Sequence, residues 1–224
     1  LLADVSHELR SPMTRLQIAL GLIEKSAEQG LSLEKHLHRC EHEIAQLDSM
    51  ITNVLSLSRM ENTFQQAHFE NINVKLLLQT AIADAQYLAI NNKITINANI
   101  TENCDIPIDK SLILSALNNV LINAIKHSEQ QSSITVTVLK QGKSLFIAVS
   151  DCGTGVPDDK LALLFKPFYR VSTARDRETG GTGLGLAIAK QAIDIHQGKI
   201  SAENNHSGGL TITIELPLDN IYDT

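Results

Sequence analysis

The feature that most limits how this chain can fold is a pair of apolar heptad stripes in its first sixty residues. Apolar residues recur in steps of four and three, the spacing of helices packed in a bundle. The first stripe is Leu9, Met13, Leu16, Leu20, Ile23 and Ala27, and the second is Leu33, Leu37, Cys40, Ile44, Leu47, Ile51 and Val54. One helical hairpin cannot cover stripes of this width. The spacing therefore predicts a four-helix bundle made by two copies, that is, a homodimer through residues 1–61.

After the hairpin the pattern changes from repeated helix to mixed elements. Residues 59–68 are polar and weakly periodic, which predicts a linker with limits at 62–68. Residues 69–224 alternate between strand and helix patterns. We expect helices over 74–90, 110–126 and 184–196, and strands over 69–72, 93–100, 133–139, 144–150, 199–203 and 209–216. This mixture predicts an α+β fold in which one sheet is backed by three helices.

Charge and cysteine content exclude several classes of protein. The formal net charge of -6 argues against nucleic-acid binding. The three cysteines, Cys40, Cys104 and Cys152, are far apart, which predicts neither a disulfide framework nor a zinc site. There is no run of eighteen apolar residues, and the chain opens on Leu1 inside a helical pattern. We therefore expect any membrane segment to lie upstream.

A histidine stands near the start of the first predicted helix. The heptad register places His7 and Ser11 on the outward face, one turn apart, with Glu8 next to the histidine. A neutral imidazole is nucleophilic near pH 7, and a carboxylate bonded to its other nitrogen raises its basicity. The motif thus predicts an activated nucleophile, although an exposed histidine without function is the alternative. Pro12 follows and is expected to bend the helix.

The predicted helix over 110–126 has two unlike faces. Asn119, Asn123 and Lys126 recur in steps of four and three. The opposite face carries Leu117, Leu121 and Ile125. Amide groups and an ammonium can hold phosphate oxygens and a hydrated Mg²⁺, which prefers oxygen ligands. A merely solvated face is the alternative explanation of this stripe.

Two glycine-rich segments flank a cluster of aromatic residues. The first, residues 151–156, follows an apolar strand, and its Asp151 can accept a hydrogen bond from an exocyclic amine such as the adenine N6. The second, residues 180–188, runs into a helix whose N-terminus suits an anion, but it fits neither a P-loop nor a Rossmann fingerprint. Between them lie the aromatic residues of 165–170 and a charged stretch over 175–178, which predicts a mobile lid.

In this order and at these distances, the motifs resemble those of the sensor histidine kinases of two-component signalling. Residues 7–12 resemble the phosphoacceptor box, 119–127 the N box, 165–170 the F box, and 151–156 and 180–188 the two glycine boxes. The likeness covers nearly the whole chain. Within the family, residues 168–170, 174–178 and 180–188 are similar to the Cpx-type envelope-stress sensor kinases.

The resemblance implies a dimeric phosphoacceptor hairpin over 1–61, a linker over 62–68, and a catalytic ATP-binding sandwich of the gyrase, heat-shock-chaperone and histidine kinase type over 69–224. It implies that His7 attacks the γ-phosphate of ATP, that Glu8 orients and deprotonates it, and that Asn123 holds Mg²⁺. The other implied nucleotide-binding positions are Asn119, Lys126, His127, Asp151, Gly153, Gly155, Phe168, Arg170, Gly181, Thr182, Gly183, Leu184 and Gly185.

The resemblance also implies a partner and a location. The phosphoryl group would pass to an aspartate on a response regulator receiver domain docked on the hairpin. The chain would be the cytoplasmic core of an inner-membrane sensor.

Some positions depart from the family pattern. Ser11 stands where Thr or Asn is usual for regulator dephosphorylation, and His127 replaces a common Tyr. Cys152 and Thr154 replace the more usual Asn and Pro. A nucleotide-dependent ATPase of the same superfamily and a degenerate ATP-holding scaffold are the alternative functions.

Overall fold

The computed structural model describes residues 2–29, 32–62, 67–171, 181–206 and 208–219. Its helices are α1 (Leu2–Glu28), α2 (Glu34–Asn62), α3 (Val74–Asn91), α4 (Lys110–His127) and α5 (Gly185–Ile195), with a 3₁₀ helix at Asp158–Phe165. Its strands are β1 (Glu70–Asn73), β2 (Thr95–Asn99), β3 (Asp105–Ile108), β4 (Ser133–Gln141), β5 (Ser144–Ser150), β6 (Lys199–Asn204) and β7 (Leu210–Pro217).

The first two helices form the predicted hairpin. Helices α1 and α2 pack against each other, and α1 remains helical through Pro12. Part of the predicted linker, residues 63–66, lies outside the described residues. Across the described ranges, no helix combines the length and the apolar character needed to span a bilayer.

The rest of the chain folds as one main sheet backed by three helices, as predicted. The sheet has five strands in the order β2-β4-β5-β7-β6, and only the β2–β4 pair is parallel. Residues alternate between buried and less buried along β5, as a strand with one face on a core requires. Helices α3, α4 and α5 supply the facing apolar side chains, among them Leu78, Leu117 and Ile193. This layer holds α4 and α5 side by side.

Two elements were not predicted. Strand β3 pairs antiparallel with β1 in a separate two-stranded sheet, with Pro107 opposite Asn71. The 3₁₀ helix occupies the segment after the first glycine-rich motif. The strand predicted over 93–100 is shorter, because the backbone at Asn92 and Lys93 turns and pairing begins only at Thr95.

A buried histidine ties the end of α5 to the start of α4. His196 is 3% exposed, and its Nδ1 donates to the Ala192 carbonyl at 2.7 Å. Its Nε2 accepts the Asp109 amide at 2.9 Å, so the ring is neutral with its proton on Nδ1. Burial lowers the pKa of His196, while the bond to Ala192 and the charge of Asp109 act in the opposite direction. The Asp109 carboxylate in turn caps α4 by accepting the amides of Ser111 and Leu112.

This pKa shift makes the stability of the sandwich dependent on pH. The unfolded chain binds a proton at this histidine near pH 6.5, and the folded ring does so only at lower pH. The stability that the neutral ring contributes is therefore complete above about pH 6.5. It is lost as the pH falls from 6.5 through the lower pKa of the folded protein. We expect the difference in thermal midpoint between about pH 7.5 and 5.5 to be smaller in His196→Gln, whose amide oxygen can still accept the Asp109 amide. His206→Gln, at an exposed position, is the control, and equal pH dependence in all three proteins would contradict the assignment.

Candidate functional site

The polar residues predicted in the sandwich meet in one cavity of about 370 Å³. The predicted positions that line it are Asn119, Asn123, Lys126, His127, Asp151, Gly153, Gly155, Arg170, Gly181, Thr182, Gly183 and Gly185. Two predicted positions, Phe168 and Leu184, do not line it, and Leu184 is fully buried in the core. Residues 172–180, which include Gly180 and the predicted charged lid, lie outside the described residues.

Helix α4 supplies one wall of the cavity. Its apolar face is buried as predicted, while Asn119, Asn123 and Lys126 face the cavity. The Asn119 amide nitrogen donates to the Ser115 carbonyl at 2.9 Å, which fixes the side chain. Burial lowers the pKa of Lys126, and the nearby charge of Arg170 lowers it further. The two neighbouring cations, Lys126 and Arg170, favour a ligand with several negative charges.

Asp151 lines the cavity directly after β5, close to the end of α4. The side chain is buried, and its Oδ1 accepts the amides of Gly153 at 2.9 Å and Leu210 at 3.0 Å. Burial raises the pKa of Asp151, whereas these two hydrogen bonds and the charge of His127 lower it. In the described part of the chain, both hydrogen bonds of the carboxylate are accepted by Oδ1. Its Oδ2 is thus the oxygen that can accept from a ligand amine.

The glycines of the two motifs allow the backbone to pass close to neighbouring parts of the chain. A side chain at Gly153 would place its Cβ 2.4 Å from the His127 carbonyl oxygen, so only glycine lets this loop pass the end of α4. Gly183 has a φ of +71°, and its carbonyl accepts the Phe168 amide at 2.9 Å. Phe168 therefore supports the glycine run from behind the cavity wall.

Two cavity residues were missed because they come from the hairpin. Ser49 and Asn53 of α2 line the cavity, and the Asn53 amide nitrogen lies 3.4 Å from Thr182 Oγ1 as a donor. Their spacing of four residues is the only signal in the sequence, and it is common on helix surfaces.

A third missed residue holds the first glycine loop. Asn204 accepts the Val156 amide at 2.9 Å and donates to the Val156 carbonyl at 2.6 Å. No local pattern in the sequence links these two residues.

The hairpin residues His7, Glu8 and Ser11 stand apart from the cavity. His7 and Ser11 are exposed as predicted, and Glu8 is half-buried. Among the described residues, no hydrogen bond joins the His7 ring to Glu8, because adjacent helical side chains point about 100° apart. The structure thus presents the imidazole to solvent on α1.

Two family profiles match the chain. The family described as "His Kinase A (phospho-acceptor) domain" matches residues 1–63. The family described as "Histidine kinase-, DNA gyrase B-, and HSP90-like ATPase" matches residues 108–220.

Individual proteins are similar over nearly the whole chain. The sensor histidine kinase CpxA of Escherichia coli (strain K12) is 37% identical over 220 residues, which cover 97% of this chain and 46% of that protein. The chain thus spans about half the length of this curated relative.

Solved structures share the fold. The histidine kinase AdeS of Acinetobacter baumannii has a TM-score of 0.76 at 22% identity, covering 96% of this chain and 98% of that one. The histidine kinase ThkA, in complex with response regulator protein TrrA, has a TM-score of 0.77 at 23% identity, covering 97% and 61%.

Proposed function

Because the chain belongs to the sensor histidine kinase family, we propose that it transfers the γ-phosphoryl group of ATP to His7 and then to an aspartate of a response regulator. The observation that carries this proposal is the meeting of both glycine motifs and the polar face of α4 in one cavity, beside a hairpin that exposes His7. Phosphoryl transfer needs positioning and charge neutralisation more than covalent chemistry by the protein. The family matches support a division into a hairpin over 1–61, a linker over 62–68 and a catalytic domain over 69–224.

ATP suits the polar groups that line the cavity. The adenine N6 amine would donate to Asp151 Oδ2, while Lys126 and Arg170 would face the phosphates. Asn119 and the cavity-lining residues Gly181, Thr182, Gly183 and Gly185 add neutral polar groups near the start of α5. The remaining positions predicted from the family, including His127 and Thr182, are proposed as contacts to the same nucleotide.

The donor set fits a magnesium ion that arrives with the nucleotide. Within the described residues, no three His, Cys, Asp or Glu side chains are grouped as a metal site. The amide oxygen of Asn123 can supply one ligand, and Mg²⁺ readily takes the others from phosphates and water. When bound, the ion would neutralise charge on the phosphates.

His7 does not line the cavity, so transfer from ATP requires a rearrangement of the hairpin relative to the sandwich. We assign to Glu8 the role of orienting and deprotonating the imidazole once the two halves meet. Ser11, one turn from His7, is proposed to assist hydrolysis of the phosphorylated regulator. The regulator would dock on the exposed part of the hairpin that carries both residues.

We also propose that the hairpin forms a homodimer. Large apolar side chains remain exposed along a heptad seam of α2: Leu37 at 49%, Ile44 at 54% and Ile51 at 50%. Met13 and Leu20 of α1 are exposed as well, at 51% and 49%. Apolar side chains at heptad spacing are covered when two hairpins join in a four-helix bundle.

We expect Ile44→Glu to convert the dimer to a monomer at micromolar concentration, because a buried unpaired carboxylate strongly opposes association. Sedimentation velocity measures the change. Leu76→Glu is a matched control, since Leu76 is 64% exposed on α3 and outside the seam. A monomeric unsubstituted chain, or a dimer that survives in Ile44→Glu, would contradict this interface.

We further propose that the chain is the cytoplasmic core of a longer inner-membrane sensor. It spans only 46% of a relative whose name identifies it as a sensor kinase.

Incubation with γ-labelled ATP and Mg²⁺ tests the function. A histidine kinase acquires a label that is labile in acid and stable in base, and passes it to a receiver domain in a panel of candidates. Bound ATP that is not consumed would instead support the ATP-holding scaffold. Release of phosphate without any labelled protein would support the ATPase.

A further inference from the structure

An ion pair between a partly exposed arginine and a buried glutamate crosses the hairpin one helical turn after Ser11. The guanidinium of Arg15, on α1, donates through Nε to Glu43 Oε1 on α2 at 2.8 Å. Its Nη1 donates to Ser11 Oγ at 2.8 Å, and its Nη2 lies 3.5 Å from Gln46 Oε1. Glu43 is 4% exposed, whereas Ser11 is exposed. The planar guanidinium of Arg15 therefore connects the buried Glu43 on α2 with the exposed Ser11 hydroxyl on α1.

This contact restricts what the Ser11 hydroxyl can do. A serine hydroxyl has one hydrogen and two lone pairs, and it rotates to suit its partners. Arg15 occupies one lone pair with a charge-assisted hydrogen bond. The remaining lone pair and the hydrogen are then directed away from the guanidinium and are available to a group outside the helix. A rotating hydroxyl is thereby held in a defined orientation on the same face as His7.

On the basis of the proposed phosphatase role of Ser11, we infer that Arg15 is a positioning residue for regulator dephosphorylation. In this step the oxygen of water forms a bond to phosphorus, and the bond between phosphorus and the aspartate oxygen breaks. The aspartate carboxylate leaves with the electron pair, and the water proton passes to solvent. Ser11 Oγ accepts a hydrogen bond from the attacking water through its open lone pair, and Arg15 holds that oxygen in place.

Glu43 anchors the guanidinium. Its Oε1 is bonded to Arg15, and its Oε2 is buried without a hydrogen-bond partner in the described residues. Removal of Arg15 alone would leave this carboxylate buried and unpaired, which destabilises a fold strongly. Removal of both charges, in Arg15→Met with Glu43→Met, replaces the ion pair by apolar groups of similar length, which proteins often tolerate.

The test uses the whole 224-residue chain and the receiver domain that takes up label fastest in the panel described above. The receiver domain carries ³²P on its aspartate, and a non-hydrolysable ATP analogue replaces ATP so that no new label is added. We expect the double variant to release phosphate about tenfold more slowly, while its thermal midpoint and its rate of His7 labelling stay unchanged. Arg39→Met, which removes an exposed cation from α2, should alter none of these quantities.

Substitutions at Ser11 separate positioning from a structural role. In a Ser11→Ala background, loss of the Arg15–Glu43 pair should cause no further slowing, whereas in Ser11→Thr, which keeps the hydroxyl, the tenfold loss should persist. Slowing of equal size in Ser11→Ala would overturn the inference, and so would full activity of the double variant when Ser11→Ala alone is slow. A Ser11→Ala protein as active as the unsubstituted chain would instead remove the phosphatase role of Ser11, and this inference with it. If the double variant unfolds, Arg15→Lys, which keeps a charge beside Glu43 but lacks the fork, gives the same comparisons.

Discussion

His7→Gln is expected to abolish labelling of the protein by γ-labelled ATP. Glutamine retains the polarity and the approximate length of the side chain but has no nucleophilic nitrogen, so no phosphoramidate can form. The loss should be complete, because His7 is the proposed acceptor and the variant leaves the cavity in the sandwich unchanged. Binding of a fluorescent ATP analogue should therefore remain equal to that of the unsubstituted chain. Acid-labile label is measured after denaturing electrophoresis.

The matched control is another exposed histidine with an acidic neighbour. His38 on α2 has its Nδ1 3.6 Å from Glu41 Oε2, and both side chains are well exposed. An accessible imidazole close to a carboxylate is thus not unique to the phosphoacceptor motif. His38→Gln should be labelled at the normal rate. Label that persists in His7→Gln and disappears in His38→Gln would move the phosphoacceptor to the second helix.

The helices were predictable because their apolar spacing is a local property of the sequence. On α4, the face of Leu117, Leu121 and Ile125 is buried, and Asn119 and Asn123 face the cavity on the other side. One segment of sequence therefore predicted both the packing of the helix and the side it offers to a ligand. The main sheet followed in the same way from alternation along β4 and β5.

Strand β3 could not be predicted because its pairing is a tertiary contact. Asp105–Ile108 is short, and it contains Pro107, which has no amide hydrogen for a sheet ladder. It forms a strand because β1 lies beside it, where Ile72 is the partner of Ile106. The residues next to β3 in the sequence give no indication that β1 lies beside it in the fold.

The candidate site also combines features that local sequence predicts with features that depend on tertiary contacts. Its glycine walls follow motifs that are continuous in sequence, whereas Ser49 and Asn53 reach the cavity only because α2 packs beside α5. Leu184 was predicted to contact the nucleotide because it belongs to the second glycine motif, yet its side chain is buried in the core. The motif therefore predicted which segment borders the cavity. The direction of each side chain in that segment depended on the packing of α5, which follows it.

Asp151→Asn is expected to weaken ATP binding about a hundredfold, which corresponds to about 3 kcal/mol. Asparagine can keep the fold of the loop, because its amide oxygen still accepts the amides of Gly153 and Leu210 that Asp151 Oδ1 accepts now. The group that replaces Oδ2 is then an NH₂ donor, and it would face the adenine N6 amine, which is also a donor. The variant should therefore fold with a nearly unchanged thermal midpoint and lose the preference for adenine.

Inosine triphosphate distinguishes this reversal of hydrogen bonding from general damage to the cavity. Its base presents an acceptor oxygen where adenine presents the amine, so Asp151→Asn should bind it more tightly than ATP, whereas the unsubstituted chain should prefer ATP. Titration calorimetry with both nucleotides and Mg²⁺ measures the two affinities, and Asp84→Asn, at an exposed position on α3, should behave as the unsubstituted chain does. If Asp151→Asn loses affinity for both nucleotides equally, Asp151 shapes the loop and does not select the base. A preference of Asp151→Asn for inosine triphosphate over ATP requires that residue 151 contacts the edge of the base directly. Only a group in contact with the base can change the preference by replacing an acceptor with a donor.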